Sequence, residues 1–294
     1  MIKVRQKFNS ELLVHILVKP IVTLMNKLAP ALFYSSLLLM AAQVNAQKLP
    51  NVQTESLRAP ATIKIDGKAT EWDNKFQASN KTTDLQYTLA NDNNNLYLVI
   101  QATDYYIIQK VIMGGLTLTI NADGKRDVKN AAAITFPVYE SGNPGGYFMF
   151  TKSAEKMASN LDSLMKLHNN KITDRAKFIG IDNIEGVTDS MLPIYNEPGI
   201  KAAALLDRLL NYTCELAIPL KHLKLGKNAK FAYNIKLNAG SIDGYKIEIK
   251  TLRPDMVRAV RGSANGTTWM LGGDPQDLSL AATTDFWGEY TLAK

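Results

Sequence analysis

Much of this chain alternates apolar and polar residues with a period of two, which is the spacing of a β-strand with one buried face. The clearest example is 212–218, where every second residue is apolar, and 231–237 and 245–249 repeat the pattern. Other short runs, separated by turn signals such as Asp-Gly and Asn-rich stretches, lie at 62–65, 85–90, 96–102, 116–121, 131–138, 147–150, 177–181, 200–206 and 286–292. Together they predict a mostly all-β protein, an antiparallel, jelly-roll-like β-sandwich.

One stretch has a different period. Apolar residues between Ala154 and His168 recur at intervals of three and four, which predicts an amphipathic helix near 152–170. Ser153 would cap this helix, and Asn169 with Asn170 would end it. We expect one domain, 47–294, with this helix as an insertion.

The N-terminal segment is expected to be a secretory signal peptide. An apolar run, 28–44, follows Lys27 and leads to Val44-Asn45-Ala46, which has small residues where a signal peptidase reads the chain. An uncleaved membrane anchor is the alternative, although the run is shorter than the ~20 residues that a spanning helix needs. We interpret 1–24 as an extension ahead of the true start at Met25. The sequence thus predicts export to the periplasm, the cell envelope or the exterior, with no membrane span after cleavage of residues 1–46.

Charge and cysteine content narrow the class further. The net charge is +7, but residues 1–46 hold five basic residues and one acidic residue, so the remainder carries +3. This mild excess does not favour a nucleic-acid partner. The only cysteine, Cys214, allows no internal disulfide and alternates onto the apolar face of its strand, where it is expected in the core.

Five segments, in order, resemble motifs of the family 9 carbohydrate-binding modules and their wider β-sandwich superfamily. They are Ile65-Asp66-Gly67-Lys68-Ala69-Thr70-Glu71-Trp72, Asn94-Asn95-Leu96-Tyr97-Leu98-Val99, Tyr212-Thr213-Cys214-Glu215-Leu216-Ala217-Ile218-Pro219-Leu220, Phe231 to Asn238, and Asp285-Phe286-Trp287-Gly288-Glu289-Tyr290. The resemblance implies a β-sandwich in which two aromatic side chains hold a sugar ring between them. The helix near 152–170 is not part of the usual module, and Gly114-Gly115 stands where the family usually has acidic residues.

Candidate ligand-binding residues follow from this resemblance and from the loops. Trp269 lies in a stretch, 262–274, that is rich in Gly, Ser, Asn and Thr, whereas Trp72 and Trp287 are expected in the core. Tyr105 and Tyr106, at a predicted strand end, are the other stacking candidates. Arg258 and Arg261 could donate hydrogen bonds to hydroxyls or a carboxylate. We expect an exported, non-catalytic carbohydrate-binding module; the alternative is an envelope protein-interaction or structural module that has lost sugar binding.

The sequence contains few residues in patterns typical of catalytic or metal-binding sites. Asn121, Asp123 and Asp127 surround a glycine and could supply oxygen ligands to a structural calcium ion, although a plain turn explains them as well. His168 and His222 have no metal-ligand partner at a recognisable spacing, which argues against haem, and no nucleophile elbow or phosphate-binding loop is present. A hydrolase would need two paired carboxylates, and the candidates are Asp92, Asp104, Glu140, Glu215 and Asp274. Glu215 alternates onto the polar face of its strand, where a cross-strand ion pair is expected.

Overall fold

The computed structural model describes residues 48–140, 161–226, 230–242, 245–253, 256–261, 269–272 and 275–294. For those of them that lie between 241 and 277 it describes only the backbone. The chain divides into two units, Met1–Lys48 and Leu49–Lys294, and every element described below belongs to the second. The signal-peptide prediction, the predicted strand at 147–150 and the first part of the predicted helix lie outside the described residues. Within the described residues, no helix has the length and apolarity needed to cross a membrane.

Fifteen strands and three α-helices occupy the described residues. The strands are β1 (Ala78–Asn80), β2 (Leu85–Asn91), β3 (Asn95–Ala102), β4 (Leu116–Asn121), β5 (Ala132–Val138), β6 (Phe178–Asp182), β7 (Met191–Pro193), β8 (Lys201–Leu206), β9 (Tyr212–Pro219), β10 (Lys230–Leu237), β11 (Ser241–Ile242), β12 (Tyr245–Arg253), β13 (Met256–Arg261), β14 (Trp269–Gly272) and β15 (Thr284–Thr291). The helices are α1 (Tyr105–Gly114), α2 (Leu161–Arg175) and α3 (Pro275–Ala281).

The strands form two large antiparallel sheets and a smaller one. The first sheet has the order β1-β2-β3-β9-β8, the second β15-β10-β4-β5-β6-β7, and the third β11-β12-β13-β14. One apolar cluster joins the inner faces of the first two sheets, with Leu98 and Leu216 from the first and Leu118, Ile134 and Ile235 from the second. The protein is therefore the β-sandwich that the alternating pattern predicts.

A second, smaller core lies on the other side of the first sheet. There the segment 49–76 covers the outer face of the sheet and packs Trp72 and Phe76 against Tyr97, Val99 and Ala217. We call this covering segment the outer layer. The prediction of a strand at 62–65 is wrong, because these residues form no ladder and instead place Ile63 and Ile65 against this second core.

The helices depart from the sequence prediction in two ways. Helix α2 continues to Arg175, beyond its expected end at Asn169 and Asn170. Helix α1 was not predicted, because its aromatic and β-branched residues are typical of strands. The Asp104 side chain starts it by accepting hydrogen bonds from the backbone N–H groups of Tyr106 and Ile107, which is the usual role of an N-cap residue.

Candidate functional site

A carboxylate lies buried between the first sheet and the outer layer. Glu215, on β9, is 1% exposed. Its Oε2 accepts hydrogen bonds from the backbone N–H groups of Asp66 (3.0 Å) and Gly67 (2.9 Å), and its Oε1 accepts one from Trp72 Nε1 (3.1 Å). Burial raises the pKa of the Glu215 carboxyl to about 7, the three hydrogen bonds oppose the rise, and the nearby Asp66 adds to it.

The expected ion pair at Glu215 is therefore wrong. The alternation of β9 is as predicted, but the outer layer covers the face on which Glu215 lies, so the side chain is in a second core instead of in solvent. The partners of its oxygens are N–H groups, and no ion pair involves it among the described residues. Trp72 is 7% exposed, which confirms it as a core residue.

The other described candidate carboxylates each have their own environment. Asp92 accepts hydrogen bonds from the backbone N–H groups of Asn94 and Asn95 and from the Tyr97 hydroxyl. Burial raises its pKa, but these hydrogen bonds outweigh burial and lower the pKa overall. Asp104 caps α1, and Glu140 is exposed. Asp274 lies outside the described residues, so a pair that includes it stays a prediction.

Tyr105 and Tyr106 begin α1, three residues after β3 ends. Their ring centroids are 5.0 Å apart in an edge-to-face arrangement, and both side chains are half-buried. The Tyr105 hydroxyl accepts a hydrogen bond from Gln109 Nε2, one helical turn further on. Tyr105 also packs against the main core, so part of this aromatic pair serves the fold.

Trp269, Arg258 and Arg261 all belong to the third sheet. Trp269 is the first residue of β14, so it begins a strand directly after residues 262–268, which are not described. In the ladder between β13 and β14, the residue opposite Trp269 is Arg261. On the other side of β13, the residue opposite Arg258 is Lys250. The register thus places two of the predicted site residues, Trp269 and Arg261, opposite each other, and it places Lys250 opposite the third, Arg258.

The loop after β4 has the hydrogen bonding of an ordinary turn. Asn121 Oδ1 accepts from the backbone N–H of Asp123, and Asn121 Nδ2 donates to the backbone oxygen and to Oδ1 of Asp127. Asp127 Oδ1 also accepts from the backbone N–H of Lys129. Asn121 Oδ1 and Asp127 Oδ1 therefore already have partners within the loop, and the described residues contain no group of three or more His, Cys, Asp or Glu side chains suited to a metal ion.

The two histidines and the cysteine of the described part are inside the fold. The His222 ring nitrogens are 2.7 Å from the carbonyl oxygen of Glu185 and 3.0 Å from that of Pro198, an arrangement that ties both to the backbone. His168 is buried on α2, and burial lowers its pKa, assisted by Lys171. Cys214 is a buried core residue, as expected, and burial raises the pKa of its thiol.

Two further buried polar side chains were not identified from the sequence. Lys110, on α1, is 1% exposed; burial lowers its pKa to about 8, and its Nζ donates to Thr284 Oγ1 at 3.1 Å. The Tyr212 hydroxyl is fully buried, and no hydrogen-bond partner for it exists in the described part of the chain. The burial of Lys110 could not be predicted from the sequence, because the helix that carries it, α1, was not predicted.

A cleft opens at the free edge of the first sheet, where β8 has a neighbour on one side only. Its volume is about 690 Å³, within the range of ligand-binding sites. We call it the edge cleft; it is lined by Ile65, Asp66, Phe136, Ile172, Thr173, Ala176 and residues 194–196 and 199–205. Tyr195, on its rim, is 89% exposed. No sequence pattern indicates this cleft, because its walls come from segments far apart in the chain.

No protein-family model matches this chain, and no curated protein matches it at a significant level.

Proposed function

We propose that this protein is an exported, non-catalytic module that binds a glycan on the third sheet, with Trp269 and Arg261 as the central contacts. The observation that carries the proposal is the register of β13 and β14, which sets Arg261 directly opposite Trp269. Two of the residues that the sequence singled out for sugar binding, eight positions apart, are therefore direct neighbours across a ladder.

The two residue types are chemically complementary to a sugar. An indole ring offers a flat apolar face on which the C–H face of a pyranose can stack, and tryptophan is frequent where one side of a contact is apolar and the other wet. A guanidinium group offers several N–H donors in a fixed plane, suited to vicinal hydroxyls or to a carboxylate. A register shift between Ala259 and Val260 interrupts the ladder close to this pair, and such bulges are frequent beside binding sites because they redirect side chains.

Charge favours an acidic glycan over a neutral one. Strands β12 and β13 carry one glutamate and five basic residues. The basic residues are Lys246, Lys250, Arg253, Arg258 and Arg261. Lys250 and Arg258 are directly opposite in the ladder, and like charges in that position destabilise a sheet. Arg258 and Arg261 are three residues apart on β13 and therefore belong to opposite faces of the sheet, so Lys250 and Arg258 add to the positive charge of the sheet but not to the face of Trp269 and Arg261. We therefore propose a uronic-acid-containing or sulfated polysaccharide as the ligand.

Tyr105 and Tyr106 are proposed as a secondary aromatic contact. Helix α3 packs against β12, β13 and β14, and it also contacts α1, the helix that these tyrosines begin. Met113, near the end of α1, packs with Leu278, Leu280 and Ala281 of α3. The third sheet is thereby attached to the sandwich through the helix that carries the tyrosine pair.

The test is a glycan array that contains neutral, uronic-acid-containing and sulfated polysaccharides, probed with the purified protein in the presence and absence of calcium. We expect binding to acidic members that does not require calcium. Isothermal titration calorimetry with the best polysaccharide should then show at least about tenfold weaker binding for Trp269→Ala and for Arg261→Ala, the loss expected of a central contact.

Lys230→Ala provides the matched charge control, because Lys230 is an exposed cation on β10 that pairs with Glu289 at 2.7 Å. It should bind as the wild type does. Silence across the whole array would contradict glycan binding, and binding restricted to neutral members would contradict the acidic specificity. Binding that is insensitive to Trp269→Ala would exclude the proposed surface.

A further inference from the structure

The outer edge of β8 is capped at both ends by asparagine side chains that imitate a neighbouring strand. At one end, Asn169 of α2 accepts a hydrogen bond from the Leu206 N–H (2.7 Å) and donates one to the Leu206 carbonyl (2.9 Å). At the other end, Asn196 accepts from the Ile200 N–H (3.1 Å) and donates to the Ile200 carbonyl (2.7 Å). Each amide thus satisfies one residue of the edge, as the peptide group of an adjacent strand would.

Between these caps the edge is open. Along an antiparallel strand, the backbone N–H and C=O groups of every second residue bond the neighbouring strand, and those of the residues between them point to the opposite side. Leu206 and Ile200 face away from β9, so Ala202 and Ala204, at the intervening even positions, do the same. All three alanines have a register partner on β9, but the alternation places the hydrogen bonds to β9 at Ala203 and leaves the backbone groups of Ala202 and Ala204 pointing outward. No hydrogen bond to the N–H or C=O of Ala202 or Ala204 is found among the described residues. Four backbone groups therefore face the edge cleft without a partner in the described part of the chain.

The cleft is shaped for one extended chain. Ala202 to Ala204 line it, and because Ala202 and Ala204 are each less than one-tenth exposed, the cleft is the route by which a ligand would reach their backbone groups. Ile172, Thr173 and Ala176 of α2 form one wall, and Ile65 with Asp66 contributes to another. Because the edge is recessed between these walls, the edge strand of a second sandwich would meet them before it reached Ala202.

We propose that the edge cleft binds an extended polypeptide segment of a partner protein, which adds to β8 as the sixth strand of the first sheet. Unpaired N–H and C=O groups on alternate residues repeat about every 6.6–6.8 Å along a strand, which is the repeat of another polypeptide strand. Exposed edges of this kind are usually blocked by charges or prolines, and here the block is confined to the two ends. This site is separate from the proposed glycan surface.

The lining of the cleft also specifies the side chains of the segment. Residues opposite each other in a ladder share a face, so the residues that pair with Ala202 and Ala204 face the same side as those alanines do. Both alanines belong to the main core, together with Phe136, Ile172 and Ile200 of the cleft lining. The two pairing residues are therefore apolar, and the residue between them lies on the face of Ala203, where the cleft is lined by both Lys201 and Asp66.

Amide hydrogen exchange of the free protein provides the first test. The Ala202 and Ala204 N–H groups should exchange at least about tenfold faster than those of Ala203 and Leu205, because only the latter bond β9. Equal protection of all four amides would show that the edge is already occupied and would overturn the proposal.

The second test uses a random heptapeptide library displayed on phage, selected against the purified protein. Synthetic peptides made from the selected sequences should slow exchange at Ala202 and Ala204. N-methylation of alternate peptide amides in one phase should weaken binding about tenfold or more, and methylation in the other phase should not, because only one phase faces β8.

Ala202→Pro removes an outward N–H without removing a ladder bond, and prolines are tolerated on edges in this position. This variant should lose peptide binding at least about tenfold while it keeps the glycan binding of the wild type. Absence of any selected peptide, or binding that neither proline nor N-methylation affects, would overturn the proposal. Displacement of the peptide by a glycan, or a concentration-dependent dimer that Ala202→Pro abolishes, would assign the cleft to those occupants instead.

Discussion

Replacing Glu215 by glutamine should change the stability of the protein in opposite directions at acidic and alkaline pH. The pKa of the Glu215 carboxyl is about 7 in the folded protein, against an ordinary value of 4.5. Because folding raises this pKa, the native state holds the proton more tightly than the unfolded chain does. The resulting stabilisation is fully present below pH 4.5 and is lost as the pH rises through about 7, and its magnitude is about 3 kcal/mol.

Glutamine removes this pH dependence but loses a hydrogen bond. Its single carbonyl oxygen can accept the N–H groups of Asp66 and Gly67, and its NH₂ group then faces the Trp72 N–H, which is also a donor. A buried N–H left without an acceptor costs about 1–2 kcal/mol. We therefore expect Glu215→Gln to be less stable than the wild type by about 1–2 kcal/mol near pH 5, and more stable by a similar amount near pH 8.5.

Urea unfolding followed by tryptophan fluorescence would measure the free energy of unfolding at both pH values. Glu71→Gln is the matched control: Glu71 lies beside Trp72 but is only half-buried and accepts a hydrogen bond from the Thr70 hydroxyl. Its effect should stay within about 0.5 kcal/mol at both pH values. A stability difference for Glu215→Gln that has the same sign and size at both pH values would refute the assignment of this carboxyl as a buried acid.

Two further substitutions test the packing. Gly67→Ala should lower the free energy of unfolding by about 2–4 kcal/mol in chemical denaturation, because a Cβ there would lie 2.7 Å from the Ala204 carbonyl carbon and φ is +81°. Gly124→Ala, with φ of +75° and no atom within 4 Å, should show only the conformational part, about 1 kcal/mol, and an equal loss at both glycines would contradict the steric argument. Tyr212→Phe should leave thermal stability unchanged or slightly higher, whereas Tyr233→Phe, which breaks a buried 2.9 Å hydrogen bond, should cost about 1 kcal/mol; a clear loss at Tyr212 would reveal an unseen partner.

The sandwich was predictable because alternation is a local property of the chain. Strand β4 was predicted at its observed bounds, and β9 with the correct pair of faces, since each inner face reads directly as every second apolar residue. The chemistry at Glu215 was not predictable in the same way. Its environment depends on the outer layer, which reaches β9 from about 150 residues earlier in the chain, and no local pattern encodes that contact.

For the candidate site, too, the local features were predictable from the sequence and the long-range contacts were not. Trp269 and Arg261 could be chosen by residue type, but their opposition in the ladder depends on a strand register that sequence alone did not give. The edge cleft left no sequence signal, because its asparagine caps come from α2 and from the turn after β7, and asparagines in such places are read as ordinary helix and turn residues. Helix α1 was missed for a local reason: a run of tyrosine, isoleucine and valine favours a strand, and the Asp104 cap was the only opposing signal.

The strand order of the first sheet has a consequence for the synthesis of the chain. Strands β1, β2 and β3 are complete at residue 102, but the next strand of that sheet is β9, which begins at residue 212. At the usual rates of translation, about 5–20 residues per second, β3 waits roughly 5–20 s for its neighbour. Throughout that interval the nascent hairpin exposes a free edge and the apolar face that belongs to the main core, since the outer layer has already been synthesised. A chaperone that holds the emerging chain should therefore raise the yield of folded protein more than one that acts after release.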